Sequence, residues 1–126
     1  EPAEFIDKYV LSELDVKPLD ACVAVHVTCS TRQMGLADTS IRVAKACAKN
    51  VLVPEEIGCC AFAGDKGFTE PELNEWALRK LKPQVEKAGA TMGVSNSRTC
   101  EIGLSTHSGI NYCGIAHLVN ITSKRK

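Results

Sequence analysis

The sequence predicts an α/β fold: a single domain of about four parallel strands joined by crossover helices. Two observations carry this expectation. Short apolar, β-branched runs alternate with longer segments whose apolar residues recur at a helical period. The resulting order, strand and helix repeated and closed by a strand, is that of parallel strands linked by right-handed crossovers. The chain has 126 residues, 44% hydrophobic and 24% charged, which suits one domain with a modest core.

The elements follow in order. Residues 2–14 place Phe5, Ile6, Tyr9, Val10 and Leu14 at helical spacing, a short amphipathic lead-in helix. Residues 21–27 (ACVAVHV) form a buried first strand. Residues 36–49 carry Leu36, Ile41, Ala44, Cys47 and Ala48 on one helical face, ending near Asn50. Residues 50–55 (NVLVPE) form a second strand, stopped by Pro54. Thr69 and Glu72 have capping-box spacing, with Pro71 in the first turn of the next helix. Leu73, Trp76, Ala77, Leu81, Val85 and Ala88 line its core face; Pro83 kinks or splits it, and Gly89 caps its end. Residues 90–96 (ATMGVSN) form a third strand. Asn96 or Ser97 caps a helix that runs to Gly109, and residues 112–121 (YCGIAHLVNI) form a fourth strand. The expected layering is Rossmann-like, without repeats or an internal linker.

Composition excludes several function classes. Fifteen basic and fifteen acidic residues give a formal net charge of zero, so no basic field favours nucleic acid or an anionic membrane. No apolar run approaches the ~20 residues of a membrane span. There is no dinucleotide-binding glycine fingerprint and no phosphate loop. Ser105 and His107 are two apart on a helix, so their side chains diverge and form no hydrolytic pair. The chain begins with Glu1, which suggests a segment of a longer protein.

The seven cysteines carry the functional signal. An odd number without short disulfide spacing disfavours a secreted disulfide framework and fits reduced thiols in a cytoplasmic setting. Ligands of open parallel sheets collect at the carboxyl ends of the strands. By that rule Cys29 follows the first strand, Cys59 and Cys60 the second, and Cys100 the third. Cys22, Cys113 and Cys47 fall toward the opposite edge, as small buried hydrophobes. Four thiolates from three loops complete a tetrahedral zinc set or the four-cysteine set of a cubane iron–sulfur cluster. Cys100 lies in the first turn of a helix, where the free N–H groups and the dipole favour thiolate. The plainer reading is four unligated loop cysteines. A Cys59–Cys60 disulfide is strained and ranks below metal binding. His26, three residues before Cys29, is a candidate supporting donor, or simply a satisfied histidine near the core surface. His117 points the same way, and His107 is structural. Arg32 and Arg98 flank the ligand loops and could offset thiolate charge, or form ordinary surface ion pairs.

Cys29, the Cys59–Cys60 pair and Cys100 resemble the CCG cysteine-rich domain of heterodisulfide reductase and glycolate oxidase iron–sulfur subunits. Residues 26–36 (HVTCSTRQMGL), 54–73 (PEEIGCCAFAGDKGFTEPEL) and 95–112 (SNSRTCEIGLSTHSGINY) are similar to the C-terminal end of bacterial FAD-linked D-lactate dehydrogenases. The resemblance implies a fragment of a larger flavin and iron–sulfur enzyme. FAD, elsewhere in that protein, would take a hydride equivalent from a D-2-hydroxy acid. Electrons would then leave through iron–sulfur centres, 4Fe-4S here, to a membrane quinone or cytochrome. Cys29, Cys59, Cys60 and Cys100 would hold the centre in this domain. The implied location is the cytoplasm, or the periphery of the inner membrane. Two departures stand out. The CCG triplet reads CCA, with Ala61 in place of glycine; a left-handed backbone there would cost ~1–2 kcal/mol. The family's closing CxxC reads CEIG, with Gly103 in place of its second cysteine. A five-thiolate half-site is therefore not supplied, which leaves a four-ligand centre or a structural zinc or subunit-docking role.

Overall fold

The computed structural model describes residues 2–28, 32–54 and 71–125. The chain opens with a helical turn α1 (Pro2–Phe5), which widens to a π-helical turn (Ile6–Val10) and tightens to a 3-10 turn (Leu11–Glu13). Strand β1 (Leu14–Val16) precedes β2 (Leu19–Val25), helix α2 (Ala37–Cys47) and β3 (Ala48–Leu52). Helices α3 (Pro71–Ala77) and α4 (Leu81–Ala88) lead to β4 (Ala90–Ser95). Helix α5 (Arg98–Ser108), β5 (Asn111–Gly114), α6 (Ile115–Thr122) and β6 (Ser123–Arg125) complete the order.

The main sheet has four strands in the order β3-β2-β4-β5, and every pairing is parallel. The α/β expectation is met. A separate two-stranded antiparallel ribbon joins β1 to β6. Strand alternation divides the interior in two. Val23, Val25 and Val27 face a core shared with Val43, Ala44 and Cys47 of α2 and Ile115, Leu118 and Val119 of α6. Ala24 faces the second core, with Leu78, Leu81, Val85, Leu104 and Tyr112. Helices therefore cover both faces, as a buried parallel sheet requires. Gly89 ends α4 with φ 70°, a left-handed conformation that glycine adopts without a Cβ penalty.

Four sequence expectations are corrected. In the lead-in helix, Phe5 and Tyr9 are 59% and 64% exposed, their rings tilted against each other at 5.4 Å, while Ala3 and Ile6 are buried. The π-helical turn changes the period, so the expected face does not persist. Helix α2 stops at Cys47 and β3 starts at once at Ala48, because Ala48 pairs with Leu19 of the neighbouring strand. Trp76 is not core: it is 67% exposed, with the Arg79 guanidinium 3.8 Å from its ring centre. The helix breaks between Ala77 and Leu81, and Leu78 becomes the buried residue. Pro83 lies in the first turn of α4, where a missing N–H is harmless. Finally, the fourth strand is short. Only Asn111–Gly114 is extended, and Ile115, Leu118, Val119 and Thr122 repeat at helical spacing along α6.

The lead-in segment is tied to α2 by Asp7 and Arg42. Arg42 Nε donates to Asp7 Oδ1 at 3.1 Å, and Nη2 donates to Oδ2. This hydrogen bonding lowers the Asp7 carboxyl below its ordinary value. A depressed folded pKa stabilises at pH above the unfolded value, and the stabilisation is lost as pH falls through the folded one. Asp7→Asn is thus expected to lower the melting temperature slightly at pH 7. The gap to wild type should close below about pH 4, the ordinary carboxylate range. Paired thermal melts at pH 7 and pH 3 check this; a gap independent of pH would rule it out.

Candidate metal centre

Three strands leave the sheet side by side. Ala24 is level with Leu52, and Val25 with Val94, so β2, β3 and β4 end at one edge. The chain runs from β2 to β3 on one side and then crosses to β4 on the other. The carboxyl edge between β2 and β4 is therefore the topological switch point, where open α/β sheets bind ligands.

Polar side chains gather at this edge. His26, Thr28, Ser40, Ser95 and Glu101 are all buried there. Asn96 Nδ2 donates to Ser40 Oγ at 3.4 Å, tying the exit of β4 to the first turn of α2. The Ser97 amide donates to Ser95 Oγ at 3.3 Å, and the hydroxyls of Ser97 and Thr99 are 3.2 Å apart. Buried polar groups need partners, and several of these find them among one another.

Cys100 stands at this edge. It is the third residue of α5, whose N-cap is Ser97, and it is half-buried against the second core. Ser97 has the extended backbone of an N-cap, but its side chain does not cap the helix. The first-turn N–H groups and the dipole at this end favour an anionic thiolate. Cys29, Cys59 and Cys60, together with Ala61 and the capping residue Thr69, lie outside the described residues. Among the described residues, no group of three or more His, Cys, Asp or Glu side chains could hold a metal ion. Among the described cysteines, Cys100 is the one placed in the first turn of a helix, a setting suited to thiolate ligation.

The remaining cysteines sort as follows. Cys22 was expected to open its strand, but β2 begins at Leu19, so Cys22 lies in mid-strand, level with Asn50 of β3 and with Ala90, the first residue of β4. Cys47 is fully buried at the end of α2, and burial pushes its thiol pKa up. Cys113 is a correction. Parallel pairing sets it beside Val94, near the carboxyl edge, because β5 is short and begins level with Met92. Burial, and then the nearby charge of Glu101, push its thiol pKa up, so it stays a neutral thiol; its Sγ lies 3.6 Å from the Gly93 carbonyl.

The three supporting candidates have distinct fates. His26 is 5% exposed at the exit of β2, and its amide donates to Val94 O at 2.9 Å. Arg32 Nε donates to Val27 O at 3.3 Å, so part of its hydrogen bonding serves the backbone. Arg98 is committed to an ion pair with Glu101, 3.0 Å from Oε2, which leaves less of its charge for a thiolate centre. His117 lies exposed on α6. Ser105 joins α5 to β5, its Oγ accepting the Tyr112 amide at 2.8 Å.

A family model described as CCG, cysteine-rich domain, matches residues 23–105, well over half of the chain. The chain belongs to this family. No curated protein matches it. The match to the cysteine-rich domain begins in β2 and ends within α5, so it spans all three strand exits. It leaves out β5, α6 and the β1–β6 ribbon. Within the cysteine-rich domain, Gly103 follows Cys100 by three residues on α5 and is buried. Sequence patterns did not reveal Ser40, Ser95, Glu101 and Tyr112 at this edge. One signal was available for Ser95: a polar residue extending a strand's apolar run at its carboxyl end. Ser40 and Glu101 had none, because polar first-turn residues normally serve the helix end itself.

Proposed function

We propose that this chain is an iron–sulfur electron-transfer domain of a flavin-linked D-2-hydroxy acid dehydrogenase, with D-lactate as the substrate of the whole enzyme. The supporting observation is the meeting of family membership with topology. The cysteine-rich match spans three strand exits that open at one edge, and every exit segment carries cysteine in the sequence. In this reading Cys29, Cys59, Cys60 and Cys100 hold the centre. An iron–sulfur centre bound there takes up and passes on one electron at a time. The chain's own contribution is to favour thiolate at Cys100, in the first turn of α5. FAD, the substrate pocket and the docking of a quinone or cytochrome belong to the rest of the parent protein.

A second reading is a structural zinc or subunit-docking domain. The CEIG sequence suits it as well as a cubane cluster: with Gly103 at the position of a further cysteine, the set closes at four thiolates. Metal analysis separates the two. Protein reconstituted without oxygen should be brown, with iron and sulfide in similar amounts, and its colour should fade with dithionite. A colourless protein with stoichiometric zinc favours the second reading. In either case Cys100→Ser is expected to lower bound metal several-fold, whereas Cys22→Ser and Cys113→Ser retain it. Full metal content in Cys100→Ser would overturn both. In the full-length enzyme, Cys100→Ser should leave flavin reduction by substrate intact and stop transfer to the external acceptor.

A further inference from the structure

Two polar side-chain tips inside the second core are not accounted for by the candidate centre. They are Nε2 of His26 and the hydroxyl of Tyr112. Their residues are 5% and 3% exposed, and neither atom has a hydrogen-bond partner among the described residues. Buried polar atoms are normally satisfied by protein or by ordered water.

Both residues line one cavity, bounded also by Arg32, Pro54, Leu81 and Leu104. The cavity holds about 10 Å³. One water molecule requires ~10–15 Å³ measured in this way, so a water is the only occupant of suitable size. The walls of Leu81 and Leu104 alone would keep such a space dry; the two polar tips make it wet.

We propose that this cavity is a binding site for a single structural water, which bridges His26 Nε2 and the Tyr112 hydroxyl. Water meets the chemistry because it both donates and accepts, and so serves Nε2 in either tautomer. Burial raises the Tyr112 pKa far above its ordinary value, which keeps the phenol protonated and able to donate. Gly93 makes the arrangement possible. A Cβ at this strand position would fall 2.5 Å from Cδ2 and Cζ of Tyr112, so glycine alone lets the ring lie close across β4. The bridge holds the imidazole at the root of the segment that leaves β2, three residues before Cys29.

Water-selective nuclear Overhauser spectra of isotope-labelled 126-residue protein, in a diamagnetic state, test the proposal. The expected result is a long-lived water contact to both the Tyr112 ring and the His26 imidazole. In Tyr112→Phe the contact should be lost and the Nε2 resonance of His26 should shift. Absence of a water contact in the wild-type protein would overturn the proposal, as would a Tyr112 hydroxyl that contacts only protein protons. The wild-type spectrum decides the matter even if the variant fails to fold. The readout does not involve iron or zinc, so its failure is separate from failure of the metal-binding reading.

Discussion

Gly93→Ala is expected to destabilise the protein by about 1–3 kcal/mol or more, a large effect for a single methyl group. The added Cβ would meet Cδ2 and Cζ of Tyr112 at 2.5 Å, and Cε2 more closely still. Carbon atoms in contact prefer ~3.5–4.0 Å, so ring or strand must move by about an ångström. Neither moves easily. The ring is 3% exposed in the second core, and the Tyr112 amide is held by Ser105 Oγ at 2.8 Å. The strand is paired on both sides, with β2 and with β5. Urea titration should show a lower midpoint at unchanged slope. The pair Gly93→Ala and Tyr112→Leu should then cost less together than the sum of the two alone, because a smaller side chain vacates the space. A Gly93→Ala protein within about 0.5 kcal/mol of wild type, the usual range for neutral surface changes, would sink the packing account.

Leu104→Ala is expected to cost about 2–5 kcal/mol, the range for a buried leucine truncated in a packed core. Leu104 is fully buried on α5, in the second core with Leu78 and Leu81. It follows Cys100 by four residues, so the two lie on one face of the helix. Loosening this contact should therefore also weaken metal retention at Cys100. The contrast is Trp76→Ala. A buried tryptophan would cost ~3–5 kcal/mol on truncation. At 67% exposure Trp76 should cost no more than about 1 kcal/mol, most of it the stacking of Arg79. Equal losses for Leu104→Ala and Trp76→Ala would contradict the observed division between core and surface.

The layered fold was legible because it rests on local pattern. The β-branched run before His26, the apolar spacing of α2 and the glycines at 89 and 109 each point to a single local structure, and all agree with the sheet. What misled were ambiguous periods. Trp76 fits the apolar face of one long helix, but the helix breaks after Ala77, and the face turns away from the core. The residues after Gly114 read as a continuation of the strand, because a short apolar run fits either structure. That ambiguity also misplaced Cys113, since the length of β5 decides at which edge its residues lie.

For the site, Cys29, Cys59, Cys60 and Cys100 were read from sequence by one topological rule, and the family match spans all four positions. Of these, the described residues place Cys100 at the carboxyl edge. The polar lining was not legible. Ser40, Ser95, Glu101 and Tyr112 come from four different elements, and no spacing along the chain links them.

By itself the amino-acid order determined that strands alternate with helices from β2 to β5, and the parallel sheet that this alternation implies. These are short-range consequences of backbone geometry and side-chain period, felt within a few residues. Only the tertiary structure decided which apolar residues are covered, where β5 gives way to α6, and that Tyr112 lies across Gly93 toward the cavity it shares with His26. Those outcomes depend on contacts between residues far apart in the chain, whose free energy exists only once the sheet has brought them together.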